Sequence, residues 1–559
     1  MSGPSRNTGD RPAIRRIGVE RIAHVLVLMG LSATLAIGVR YGTLAVGDPA
    51  SSCTVGQARM IVDGLRWLPS PLPGEPFSAA LSGMFAPAGF VAMPDRSGRS
   101  VPACPAGLSV AMAAATKLGG EAALFLLVPL FGVLAVWSTH RLGTLVTGPW
   151  GGVASALLLV CSPLFISGVT RPISDVPVAA LWVASLAAAI SASAEIGASR
   201  FRRAIGAGLL AGVAIMFRPL LWPLAVVPLM LVWPRRRDAI GRAPTAPDTH
   251  KRIGPTSRGR VDAESPSRAA AAVVMGVLPG VATAVWLHWR IHGAIVWPEA
   301  MAVDAFVGPS QIVINAAWQV WWVGRLHTPL LALALFAPII TPGVIRLWLL
   351  LGFATGVWAL ALPFGSADDW QRSRALLPAL PILTVLAVDT VWSLARRIRP
   401  VPRGLVLLAL VGSVGGWWVH SADQMGVFGA KAVERKFREV ARYAATKLSP
   451  EAVIIADLPG SSVRHYADMP TLSWSAIPSD QLDGLLDDLR KRGYTPILAV
   501  DVSERRAFTA RFDSHSQLAA LDWPARMTIG GAISIYDPAD RARHLSGEKI
   551  AAESVTWPK

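Results

Sequence analysis

Three acidic or basic side chains and one short polar segment sit where the surrounding sequence makes charge costly. Asp48 follows Gly47 directly after the apolar stretch 22–46 and precedes Pro49. A carboxylate at the C-terminal end of a helix is electrostatically misplaced. A cation, a metal ion or a proton donor is therefore expected beside it; a solvated loop aspartate is the plainer alternative. Asp175, within Thr170-Arg171-Pro172-Ile173-Ser174-Asp175-Val176-Pro177, enters the start of another apolar stretch. Ionisable groups inside a membrane are candidates for function, and aspartate is equally suited to cap a helix. The segment Asp368-Asp369-Trp370-Gln371-Arg372-Ser373-Arg374 leads into a further apolar stretch. Arg372 and Arg374 there could hold an anionic headgroup or reach out to lipid phosphate. Arg218, before Pro219, interrupts the apolar stretch 204–233. Carboxylates near arginines at a membrane boundary suit proton transfer next to a bound anion.

The elements that must position these groups are membrane helices. Of the 559 residues, 52% are hydrophobic and 16% are charged, and the mean hydropathy is +0.45. A typical soluble domain carries about 25% charged residues. Disorder and a single soluble domain are both excluded, because apolar stretches near 20 residues recur, each long enough to cross ~30 Å of hydrocarbon. The net charge of +17 comes from arginine clusters between apolar stretches. That pattern marks cytoplasmic loops and argues against nucleic acid as a partner.

Arg11, Arg15, Arg16 and Arg21 place residues 1–21 in the cytoplasm, with span one at 22–46. The further spans are at 121–139, 148–169, 175–193, two short helices turning at Phe217-Arg218-Pro219 within 204–233, then 268–288, 328–344, 346–363, 374–395 and 404–420. Pro105–Gly120 is too short to span and reads as a re-entrant or interfacial helix. The external loop 47–105 includes an amphipathic helix over 55–67, with Ala58, Ile61, Val62 and Leu65 on one face, lying on the membrane surface. Residues 234–268 read as a disordered cytoplasmic linker, and 289–327 and 364–373 as external loops. From 429 to 559, strand-length and helical patterns alternate, which predicts a small α/β domain. Its turn Pro459-Gly460-Ser461-Ser462 is an ordinary turn or a phosphate cradle. The predicted fold is a polytopic α-helical membrane protein of about eleven spans, 22–428, with an extracytoplasmic α/β domain. Cys53 and Cys104 both fall in the first external loop, where an oxidising compartment would permit a disulfide; two unpaired cysteines are the alternative. His288, His292 and Glu299 could bind a divalent ion, although their scatter lacks metal-site spacing. No other cofactor is expected.

Taken in order, Asp48, Pro105-Ala106-Gly107, Leu124–Gly143, Ser162-Pro163, Ser174-Asp175-Val176-Pro177, the stretch Gly208–Pro219 ending in Phe-Arg-Pro, and Arg372-Ser373-Arg374-Ala375-Leu376-Leu377-Pro378 resemble one family. This set is similar to the GT-C glycosyltransferases, in the branch of the dolichyl-phosphate-mannose protein mannosyltransferases and the lipid A aminoarabinose transferases. The resemblance covers about residues 20–400. The family often has a second acidic residue beside the first, or an aromatic before the Pro-rich turn; here Pro49 and Cys104 stand in those places. It implies transfer of a sugar from a polyprenyl-phosphate carrier to a glycan, lipid or protein acceptor at the external face of the plasma membrane. The reaction would be a single displacement with inversion. Asp48 matches the catalytic aspartate and would take the acceptor proton. Arg372 and Arg374 would stabilise the leaving phosphate, Arg218 is either a further candidate for that role or a buried structural residue of the hairpin, and Asp175 would support the site. A flippase moving a lipid-linked sugar without chemistry is a different class, and it would be expected to show internal repeats, which the sequence lacks. A polysaccharide polymerase or ligase would carry its largest functional loop later in the chain.

Overall fold

The computed structural model describes residues 11–69, 83–93, 99–233, 266–293, 308–342, 344–364, 369–398 and 403–556. The expected linker at 234–268 lies almost wholly outside them, as does Glu299. Helix is present in each of the eleven expected apolar segments. Among the described residues, five helices are long and apolar enough to cross a membrane alone, and up to eight if each bent pair forms one span; Pro219–Leu231 and Ile345–Ala361 are shorter apolar helices.

The chain begins with α1 (Arg11–Tyr41) and α2 (Pro49–Val62). Helix α3 (Ala106–Thr147) is two helices joined at a break, with Gly119 at φ −142° and Gly120 at φ 71°. The positive φ suits glycine, and the break separates the short helix expected at 105–120 from the span after it. Helices α4 (Pro149–Cys161) and α5 (Pro163–Val169) meet at 68°. Proline 163 removes an N–H from the ladder at that bend.

Helix α6 (Asp175–Ser193) lies at the centre, with nearly every residue buried. Its Trp182 ring sits 5.2 Å from Phe353. Helix α7 (Gly197–Phe217) ends where Pro219 forces Arg218 out of helical geometry, to φ −146° and ψ 87°. A 3-10 segment, Pro219–Ala225, and α8 (Val226–Leu231) follow.

Helix α9 (Pro266–His292) packs on α7 through Gly276 and Gly280 against Gly208 and Gly212. A Cβ at Gly208 would come within 2.1 Å of the Val273 carbonyl oxygen, so small residues set this approach. Helix α10 (Pro309–His327) occupies much of the stretch expected to be an external loop at 289–327, and it bends 109° into Pro329–Ile340. Its polar residues Gln311, Asn315, Gln319 and Arg325 obscured an otherwise mostly apolar element. The remaining apolar helices include Ile345–Ala361, Leu380–Ile398 and the run Arg403–Gln424.

Beyond the membrane helices, the amphipathic helix Ala430–Lys447 opens the C-terminal domain. A six-stranded mixed sheet follows, in the order Thr471–Leu472, Ala452–Ile455, Thr495–Asp501, Ile533–Tyr536, Met527–Ile529, Glu553–Val555. The first three strands are parallel and the next two pairings are antiparallel. This matches the alternating pattern read from 429 onward.

Candidate active site

The first span ends at Tyr41, earlier than the 46 expected, so Asp48 is not at the end of that helix. It is the N-cap of α2, which begins at Pro49 and ends at Val62, rather than at 55 and 67. Asp48 Oδ1 accepts from the Ala50 and Ser51 amides, both at 2.9 Å. The Ser51 hydroxyl takes the Asp48 amide in return, at 3.3 Å. The expected electrostatic misplacement is thus reversed: a helix N-terminus favours an anion. Among the described residues, none donates to Oδ2. The helix is largely buried along Ser51–Ala58; it packs against α3 and does not lie free on a membrane surface. Cys53 and Cys104 are joined by a disulfide, with Cα atoms 6.0 Å apart, which ties α2 to the approach to α3.

Asp175 opens α6 and is 3% exposed. Both its oxygens face arginines. Arg218 Nη2 pairs with Oδ1, and Arg374 Nε lies 3.6 Å from Oδ2. Arg218 also donates to the Ala375 carbonyl at 3.3 Å. Asp175 thus gathers the break after α7 and the segment Trp370–Leu376 at one point. Two guanidiniums against one carboxylate leave the cluster one positive charge in excess. Arg372 is exposed and stands apart from this cluster.

Arg171, which composition and spacing gave no reason to single out, lines an open cavity of about 410 Å³. Asp48, Arg171, Trp370, Gln371, Glu434 and Lys436 are among its lining residues. Arg171 Nη1 donates to Gln371 Oε1 at 2.9 Å, and its Nε lies 3.7 Å from Glu434 Oε1. That Nε is buried and makes no hydrogen bond. Burial pushes the Glu434 carboxyl above the usual glutamate range; Arg171, Thr43 and Arg374 oppose the shift, and the nearby Asp48 charge adds to it. Lys436 is paired with the buried Asp501.

The C-terminal domain also holds the segment that leads to Asp48. Ser462 donates to the Val46 carbonyl, Tyr466 to that of Leu44 at 3.1 Å, and Lys431 to that of Arg40 at 3.4 Å. The Phe437 ring lies on Gly47, where an added Cβ would come within 2.3 Å of it. The turn at 459–462 is the first part of the helix Leu458–Ala467. Its Ser462 hydroxyl is engaged by this contact.

His288 and His292 stack at 5.5 Å at the end of α9, and His292 Nε2 bonds the Pro102 carbonyl at 3.0 Å. No group of three His, Cys, Asp or Glu side chains suited to a metal ion occurs among the described residues.

With this geometry in hand, two comparisons bear on the chain. Residues 105–243 match the family model "Dolichyl-phosphate-mannose-protein mannosyltransferase". ArnT from Cupriavidus metallidurans, solved bound to undecaprenyl phosphate, superposes with a TM-score of 0.50 at 12% identity, over 87% of this chain and 94% of that one. The fold is the GT-C fold. The archaeal oligosaccharyltransferase AglB from Archaeoglobus fulgidus, solved with an inhibitory peptide and a dolichol-phosphate, has a TM-score of 0.51 at 10% identity, over 90% and 72%. No curated protein matches the chain by sequence. The region matched by the family model holds Arg171, which lines the cavity, and Asp175 and Arg218, which pair with each other.

Proposed function

We propose that the protein is a membrane glycosyltransferase that moves a sugar from a polyprenyl-phosphate donor to an acceptor hydroxyl. The observation that carries this reading is a single cavity lined by both Asp48 and Arg171. A glycosyl transfer from a phosphate carrier needs a base for the acceptor and a cation for the leaving group. The acceptor oxygen attacks the anomeric carbon as the bond from that carbon to the phosphate oxygen breaks. The polyprenyl phosphate leaves with that electron pair, and the acceptor proton passes to Asp48. Its Oδ1 is held by two backbone amides, which fixes the carboxylate and leaves Oδ2 to receive the proton. Leaving-group charge rises as the bond breaks. Arg171 meets it directly, and the excess positive charge on Asp175, Arg218 and Arg374 supports it from behind. A single attack from the face opposite the phosphate inverts the anomeric centre.

ArnT was solved with undecaprenyl phosphate and AglB with a dolichol-phosphate, which favours a lipid phosphate for this cavity too. The test is transfer of label from a radiolabelled polyprenyl-phosphate sugar into envelope material by membranes containing the protein. Transfer by the wild type, lost in Arg171→Ala, is the expected result. Label moved across the membrane with its sugar–phosphate bond intact would instead indicate a transporter.

A further inference from the structure

The C-terminal domain enters the site through one side chain. Glu434 lies on the first helix of that domain, is 7% exposed, and lines the same cavity as Asp48. Its carboxylate stands 3.7 Å from Arg171 Nε. Arg171 is held at its Nη1 end by Gln371. The guanidinium thus has a hydrogen-bond partner on one element and a charge partner on another, which together limit the orientations it takes in the cavity. An arginine side chain left with one partner would sample many rotamers, and binding a phosphate would then have to order it.

We propose that Glu434 is a positioning residue for the donor phosphate: it orients the Arg171 guanidinium in the cavity beside Asp48. This rests on the reading of the cavity given above. It also gives the C-terminal domain a part in the transfer site, because the domain that supplies Glu434 is the one whose Ser462 and Tyr466 hold the carbonyls of Val46 and Leu44. The charge arithmetic is consistent with that part. Glu434 offsets the charge of Arg171. A phosphate that joins Arg171 restores a negative excess there, which the second positive charge of the Asp175 cluster offsets.

The experiment uses the purified full-length protein in lipid nanodiscs, with undecaprenyl phosphate as the binding probe and a polyprenyl-phosphate sugar for turnover. Glu434→Gln keeps the shape and removes the charge. It is expected to weaken undecaprenyl phosphate binding by about tenfold, the scale of a charge-assisted contact, and to raise the donor KM similarly with kcat within about threefold. Arg171→Ala should weaken binding at least as much, and the double variant should lose no more than Arg171→Ala alone, since the two residues act as one unit. Glu434→Asp, which keeps the charge and shortens the arm, should recover part of the affinity; it also serves if Glu434→Gln does not fold. Wild-type affinity in Glu434→Gln, or losses that add in the double variant, would overturn the proposal. A fall in kcat with unchanged KM would do so as well, because it would place Glu434 in the chemistry. If the wild type itself bound no lipid phosphate, the reading of the cavity would fall and this inference with it.

Discussion

Among single residues, arginines that look alike in the sequence take different places in the fold. Arg372 and Arg374 are two positions apart in one polar segment, and both face the same expectation there. A 3-10 turn over Trp370–Leu376 sends them in different directions. Arg374 reaches Asp175, whereas Arg372 is exposed. Arg374→Ala should therefore raise the donor KM by about tenfold, through loss of a charge-assisted contact behind the phosphate. Arg372→Ala should stay within twofold of wild type. Steady-state kinetics with a polyprenyl-phosphate sugar would measure both; equal effects would refute the separation. Asp48 and Asp175 stood out in the sequence because each is a charge bordering an apolar stretch. Arg171 and Glu434 did not. Arg171 is one residue of a short loop, and Glu434 sits on a helix whose charged face looks ordinary until the domain is docked. Their roles arise from contacts across 200 or more positions of chain, which no local pattern records.

At the scale of elements, the sequence revealed helices wherever apolar length and proline agreed. The break at Arg218 follows from Pro219, and α6 begins at the expected Asp175. It misjudged the segments where tertiary contacts decide. The stretch over 309–327 became helix, and α2 moved forward so that Asp48 caps it, because Asp-Pro opens a helix better than it closes one. The contact of Phe437 with Gly47 leads to a specific expectation. Gly47→Ala puts a methyl into the ring and should displace the segment before Asp48, lowering transfer by tenfold or more. Adding Phe437→Ala makes room and should restore part of the rate. Transfer assays on the single and double variants decide this; a double variant no better than Gly47→Ala would disprove the contact's importance. The disulfide is a second device on this side of the bundle. It closes a separation of 51 residues, worth about 4 kcal/mol in the chain-entropy account. Cys53→Ser should lower the thermal midpoint, and dithiothreitol should lower that of the wild type but not of the variant. An unchanged midpoint in Cys53→Ser would show that the bridge does not hold the loop.

At the scale of the whole molecule, contacts place three parts on one side of the bundle: the Asp48 loop, the Cys53–Cys104 bridge and the C-terminal domain. A disulfide belongs in an oxidising compartment, and the arginines in the first part of α1 favour the cytoplasm for the N-terminus. We therefore expect the C-terminal domain outside the cytoplasm. An alkaline phosphatase fused to the C-terminus should be active, and one fused before α1 inactive; the opposite pattern would reverse the orientation. Composition and arginine clustering made the membrane fold legible, because both are properties of long stretches. The docking of the C-terminal domain on residues 40–47 was not, since it depends on backbone carbonyls that every sequence possesses. The central claim is that Asp48 is the base for sugar transfer within this fold, and Asp48→Asn tests it most directly. Asparagine caps a helix about as well as aspartate, so α2 and its packing should persist while the proton acceptor is lost. Membranes carrying Asp48→Asn should transfer label from a radiolabelled polyprenyl-phosphate sugar at least ~10²-fold more slowly than wild type, with undecaprenyl phosphate binding retained. Transfer at the wild-type rate would contradict the account.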